Sequence, residues 1–142
     1  MKKILILGGG FSGIYTAKNL QKQNLDGFEI ELISDNNYFI FQPLLPEVAS
    51  GTIYSSDAVT PIRQMLKGIK YRNAEISGID FKNKKVSILQ GFKKSTHFID
   101  YDHLIIALGQ VSNLDIVKGL KDHAFTMRSL QDAYDLRNHI LG

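Results

Sequence analysis

ILILGGGFSG, residues 4–13, is the stretch that decides the fold. Ile4 to Leu7 form an unbroken apolar run, the composition of a strand buried on both faces. They lead directly into Gly8, Gly10 and Gly13. At this spacing the first glycine permits a tight turn and the second lets backbone approach a pyrophosphate. The third lets the following helix pack closely on the strand. Ile14, Ala17 and Leu20 then recur at helical spacing, so the loop opens a helix. The N–H groups at the start of that helix favour an anion by ~0.3–1 kcal/mol. A turn that merely joined strand to helix would not need three glycines.

Outward from the loop, Met1, Lys2 and Lys3 precede only four apolar residues, Ile4 to Leu7. That run is too short for a secretory core, and the loop is expected in the first βα unit. Asn24 to Gly27 reads as a turn and Phe28 to Ile33 as a second central strand, followed by Ser34 and Asp35. Asp35 lies about twenty residues beyond the glycines, where an acidic side chain takes the ribose hydroxyls of a dinucleotide. The alternative is an Asx turn into Asn36 and Asn37.

Residues 36–51, NNYFIFQPLLPEVASG, carry too much apolar surface for an exposed loop, and a short helix is expected over Leu45 to Ala49. Thr60 is expected to cap a helix with Pro61 at its first position, running to Leu66 and stopping at Gly68. From Ile69 to Asp100 the pattern changes to short strands between polar turns: Tyr71 to Ile79, Val86 to Gln90 and Thr96 to Ile99. Leu104 to Leu108 reads as a buried parallel strand ending at Gly109, and Ser129 with Asp132 as a capping box for a last helix. The fold class is therefore α/β: a Rossmann-like FAD/NAD(P)-binding fold whose parallel sheet has an antiparallel β-meander as one crossover.

Composition narrows the function. With 142 residues the chain is one domain by size, its net charge is +3, and its lysines are scattered, so no nucleic-acid partner is expected. The absence of cysteine excludes disulfides and thiolate chemistry within the sequence, and His97, His103, His123 and His139 lack ligand spacing. No apolar run approaches the ~20 residues of a membrane span.

The segment NYFIFQPLLPEVASG (residues 37–51), read with the glycine loop and YDHLIIALG (residues 101–109), resembles the type II NADH dehydrogenases. TPIR (residues 60–63) and LQDAYDLRNHIL (residues 130–141) extend the resemblance along the whole chain. These are FAD-dependent NADH:quinone oxidoreductases of the two-dinucleotide-binding-domain flavoprotein superfamily. The resemblance implies that Gly8, Gly10, Phe11, Ser12 and Gly13 hold the FAD pyrophosphate. It also implies that Gln42, Pro43 and Leu44 lie near the flavin, that Ile76 meets the adenine edge through its backbone, and that Ala107, Leu108 and Gly109 close the other side. The usual acidic position falls on Ser34, with Asp35 one residue later, so either residue is a candidate for the ribose.

The resemblance further implies that residues 1–142 are the N-terminal part of an FAD-binding domain, whose remainder and an NADH-binding domain lie outside this sequence. NADH and a quinone are then partners of the intact enzyme only. Membrane contact is not expected within these residues; the intact protein is expected peripherally on the cytoplasmic face of the membrane. No residue here presents itself as a catalytic acid, base or nucleophile. The rival readings are a sulfide:quinone reductase-like flavoprotein and a non-catalytic nucleotide-binding module.

Overall fold

In a computed structural model describing residues 1–142, the opening apolar run becomes strand β1 (Lys2–Leu7), and the glycine loop leads into helix α1 (Phe11–Lys22). β2 (Phe28–Ser34), β5 (Lys70–Asn73) and β9 (His103–Ile106) join β1 in a parallel sheet of order β5-β2-β1-β9. β1 runs Lys2↔Phe28 to Leu7↔Ile33 against β2 and Ile4↔His103 to Leu7↔Ile106 against β9. β2 meets β5 from Glu31↔Lys70 to Ser34↔Asn73. This register brings the carboxyl ends of all four strands level, beside the glycine loop.

Alternation along β1 and β2 divides the apolar residues between the two faces of the sheet. Ile4, Ile6 and Leu32 pack with Ile14 and Ala17 of α1 and with Phe39, Ile62 and Leu66. Leu5, Leu7 and Ile33 pack with Val86, Ile88 and Ile99. Those last three come from an antiparallel meander of β6 (Glu75–Asp80), β7 (Lys85–Gln90) and β8 (Ser95–Asp100). The meander thus takes the place of a crossover helix, as the change of pattern after Ile69 predicts. Leu5, Ile6 and Leu7 are fully buried, and burying a side chain of that size contributes roughly 1.5–3 kcal/mol.

Three expectations need correction. The stretch Tyr71 to Ile79 is two strands: β5 belongs to the parallel sheet and β6 to the meander. The chain changes sheets at buried Ala74, whose N–H donates to Ser34 O at 3.0 Å, and no glycine or proline marks the break. Thr60 does not cap a helix. Val59–Pro61 is a short strand, β4, paired with β3 (Tyr38–Ile40), so Thr60 is extended. Helix α3 (Ile62–Met65) starts only after Pro61. Finally, β9 is an end strand of the sheet, with Ile106 half exposed, rather than a strand buried on both faces.

The chain divides into two compact units, Met1–Phe39 with Pro61–Gly109 and Ile40–Thr60 with Gln110–Gly142. The elements above centre on the first. The second contains a 3-10 turn over Gln42–Leu44, α2 (Leu45–Ser50), α4 (Leu120–His123) and α5 (Leu130–Leu141). Its core is Leu45, Val48, Ala49, Ala58 and Ala133. The capping box is formed: Asp132 N–H donates to Ser129 Oγ at 3.1 Å, and Ser129 N–H donates back to Asp132 Oδ2 at 3.0 Å.

Candidate functional site

The three motif glycines of the loop, Gly8, Gly10 and Gly13, have different physical reasons to be glycine. Gly8 has φ +110°, its N–H donates to Ile33 O at 2.8 Å, and a Cβ there would collide with the carbonyl of Ala107. At Gly13 a Cβ would fall on the carbonyl oxygen of Gly8, closer than any real Cβ approaches. Both are required by the protein's own packing: the first for the turn, the second for the seating of α1 on the loop. Gly10 is not. Its φ is −82°, which suits any residue, and a Cβ there meets nothing within 4 Å.

Gly10 is also the N-cap of α1, so no side chain caps the helix, and no acidic residue stands in its first turn. The first intrahelical bond runs from Ile14 N–H to Gly10 O at 3.0 Å. The amides of Ser12 and Gly13 therefore precede the ladder at the positive end of the helix dipole. Open space over backbone, at a helix start not neutralised by its own residues, is a cradle for an anionic group. Backbone N–H groups at a helix start are the donors that phosphate oxygens accept from. Phe11 stands beside the cradle, its ring packed edge-on against Phe39 with centroids 4.9 Å apart.

Other candidate residues of the first unit gather at this end of the sheet. Ala107 directly follows β9, and its N–H donates to Leu7 O at 2.8 Å, which presses its carbonyl against Gly8. Leu108 and Gly109 follow, both exposed, Gly109 with φ +74°. Ile76 is half-buried in β6, an end strand of the meander, at the irregularity where the pairing with β7 shifts register.

Ser34 and Asp35 have separate environments. Ser34 ends β2 and is 4% exposed, its Oγ packed beneath Gly9 and accepting the N–H of Asn36 at 3.3 Å. Asp35 lies beyond the strand and is exposed, its carboxylate bonded only to the Asn36 side chain at 3.3 Å among the hydrogen bonds described.

Gln42, Pro43 and Leu44 belong to the second unit. Gln42 and Pro43 are exposed, and the Gln42 amide donates to Arg128 O at 3.2 Å. Pro43 stands early in the 3-10 turn, where its fixed φ suits the helical start.

One charged group escaped the sequence reading. Glu31, in the middle of β2, is fully buried on the meander side of the sheet. Arg72 Nε donates to it at 2.8 Å and Lys3 Nζ at 3.2 Å, with Lys70 Nζ at 3.7 Å. Arg72 reaches on to Gln90 of β7 at 3.2 Å. Burial pushes the Glu31 carboxyl up, but the hydrogen bonds and charges of Arg72 and Lys3 outweigh it and hold the group below its ordinary 4.5. The cluster ties β1, β2, β5 and β7 together beneath the strand ends. The only sequence signal is a pair of glutamates, Glu29 and Glu31, alternating with the apolar residues of the strand.

The chain matches known proteins along its length. An external alternative NAD(P)H-ubiquinone oxidoreductase from Arabidopsis thaliana is 35% identical over 99% of this chain and 25% of its own length. The type II NADH:quinone oxidoreductase of Staphylococcus haemolyticus is 37% identical over 98% of this chain and 34% of its own. The NDH2 structure from Plasmodium falciparum solved with RYL-552 superposes with a TM-score of 0.84 at 29% identity, covering 99% of this chain and 28% of that one. The chain thus spans between a quarter and about a third of the length of these relatives. Residues 2–142 match the family described as pyridine nucleotide-disulphide oxidoreductase, and the chain, with its glycine loop set at the carboxyl ends of a parallel sheet, belongs to that family.

Proposed function

We propose that the chain is the N-terminal part of the FAD-binding domain of an NADH:quinone oxidoreductase. The observation that carries this reading is Gly10: the fold leaves room for a side chain, and glycine keeps that room clear above a bare helix start. The adenosine diphosphate half of FAD is the group such a cradle suits. Gly8, Gly10, Phe11, Ser12 and Gly13 hold the diphosphate. Asp35 faces the ribose, with Ser34 supporting Gly9 from below, and the backbone of Ile76 meets the adenine edge. Ala107, Leu108 and Gly109 close the other side. Gln42, Pro43 and Leu44 are assigned to the flavin on the resemblance alone.

When bound, FAD supplies the hydride and electron chemistry, which needs nicotinamide stacked on the flavin; these residues bind and orient the cofactor. The relatives named for NADH, NAD(P)H and quinone support NADH and a quinone as partners of the whole protein. No helix of the structure is long and apolar enough to cross a membrane. Peripheral attachment of the whole protein to the cytoplasmic face is proposed on the resemblance.

Calorimetric titration of the chain with FAD and with ADP tests the reading. Both nucleotides should bind weakly and with similar affinity, because burying most of a ligand's surface is what gives tight binding and the flavin ring gains little of that here. Failure of both to bind would contradict the assignment of the loop. FAD binding far tighter than ADP would show that residues 1–142 hold a largely complete flavin site.

A further inference from the structure

The backbone just beyond β2 is held by side chains from β5. Asn73, paired with Ser34 in the sheet, places its amide Nδ2 3.1 Å from the Ser34 carbonyl, 3.0 Å from the Asp35 carbonyl and 3.2 Å from the Tyr71 hydroxyl, its two N–H groups shared among the three acceptors. Tyr71 passes its own proton on to Asn36 O at 2.8 Å. Three consecutive carbonyls are thereby fixed from one side. Because both Ser34 and Asp35 offer carbonyl oxygens, only the NH2 end of the Asn73 amide can face them. The Arg63 guanidinium lies 5.6 Å above the Tyr71 ring and keeps that ring in place.

The consequence falls on Asp35. The strand has ended, so the ladder no longer sets its direction, and its carboxylate points wherever the turn sends it. We propose that Asn73 is a positioning residue for nucleotide recognition: without touching the nucleotide, it fixes the Asp35 backbone so that the carboxylate meets the ribose hydroxyls, with Tyr71 as the second anchor. The inference rests on the reading of the glycine loop as a nucleotide site. Burial raises the Tyr71 pKa above 10.0 despite the opposing Asn73 hydrogen bond and Arg63 charge, so the phenol remains a donor at neutral pH.

The test is titration of the wild-type chain, Asn73→Ala, Tyr71→Phe and Asp35→Asn with ADP and with 2′-deoxy-ADP, with circular dichroism of each. Wild type should prefer ADP roughly tenfold, the equivalent of ~1.4 kcal/mol. Asn73→Ala and Asp35→Asn should each bring the preference close to unity, leaving 2′-deoxy-ADP within about twofold of wild type, and the double variant should lose nothing more, as coupled residues do. Tyr71→Phe should lose part of the preference. A purely structural role for Asn73 would weaken both ligands equally and leave their ratio at the wild-type value, which overturns the proposal. If Asn73→Ala fails to fold, an unchanged ratio in Tyr71→Phe overturns it instead. Wild type binding both ligands without preference also overturns it, whereas wild type binding neither refutes the nucleotide site itself.

Discussion

At the amino ends of β1, β2 and β5 lies a depression of about 510 Å³, lined by Leu20, Leu25, Phe28, Ile30 and Ile69 among others. At the carboxyl ends of the same strands the chain is so closely packed that Gly8 and Gly13 have no room for a methyl group. Volume alone favours the first end. The chemistry favours the second, because phosphates are gripped by backbone N–H groups at a helix start, and such a grip is a surface rather than a hole. Ligands of open α/β sheets also bind outside the carboxyl ends of the strands. The depression is rimmed by Gln21, Asp26, Glu29 and Lys70, with Lys70 already paired to Glu29 at 3.3 Å. The difference between the ends is one of backbone geometry, and it is open to test by substitution.

The largest effect is expected at the carboxyl end. Gly13→Ala places a methyl on the Gly8 carbonyl, and because backbone must move to relieve it, the loss of stability in urea denaturation should reach roughly 3 kcal/mol or more. A loss below ~1 kcal/mol, a typical small mutational effect, would mean that α1 is not seated as described.

Gly10→Val separates ligand from fold. A Cβ at this position meets nothing within 4 Å and the backbone φ suits any residue, so circular dichroism should match wild type, whereas ADP affinity should drop at least a hundredfold, about 2.8 kcal/mol. Unchanged affinity would reduce the loop to a turn.

Glu31 lies between the two ends and probes the framework that both share. Glu31→Gln leaves Arg72 and Lys3 without their counter-charge; since both are about one-quarter exposed, the expected loss is about 2 kcal/mol rather than the 3–5 of a fully buried pair. The sign of its pH dependence follows from the lowered pKa. The wild-type advantage is complete above the ordinary value of 4.5 and is lost as pH falls through the lower folded value. Denaturation at neutral and acid pH should therefore show the gap between the two chains closing on acidification. A gap that widened would contradict the ion cluster.

The smallest effect is expected at the amino end. Leu25→Glu on the rim of the depression should leave ADP affinity within about twofold and stability within ~0.5 kcal/mol, as exposed substitutions do. A large loss of ADP binding there would reverse the comparison between the ends.

The sequence was most legible where one residue type has one physical use. The three motif glycines, the apolar run of β1 and the Ser129–Asp132 cap are legible in the sequence because spacing alone implies their geometry. Legibility failed where the outcome depended on partners remote in the chain. Glu31 became a buried anchor only because β1 and β5 bring Lys3 and Arg72 to it. The strand through Ala74 divides after the last rung of its pairing with β2, the Ala74 N–H to Ser34 O bond, and the rest joins the remote strand β7, while Thr60 lies in β4, paired with β3, instead of capping. Spacing also could not separate Ser34 from Asp35. In the structure the first is buried beneath Gly9 and the second is exposed, a difference of environment that spacing does not carry, and Asn73 belongs to no motif.

The central claim is that the carboxyl-end loop, and not the amino-end depression, receives the nucleotide. Amide chemical-shift mapping of the isotope-labelled chain during ADP titration tests it most directly. The account predicts saturable shifts at Gly8 to Ile14, at Asp35 and Asn36 and at Ile76, with Gln21 to Asp26 and Gly68 to Lys70 unmoved. Shifts confined to the residues around the depression, with the glycine loop silent, would contradict it.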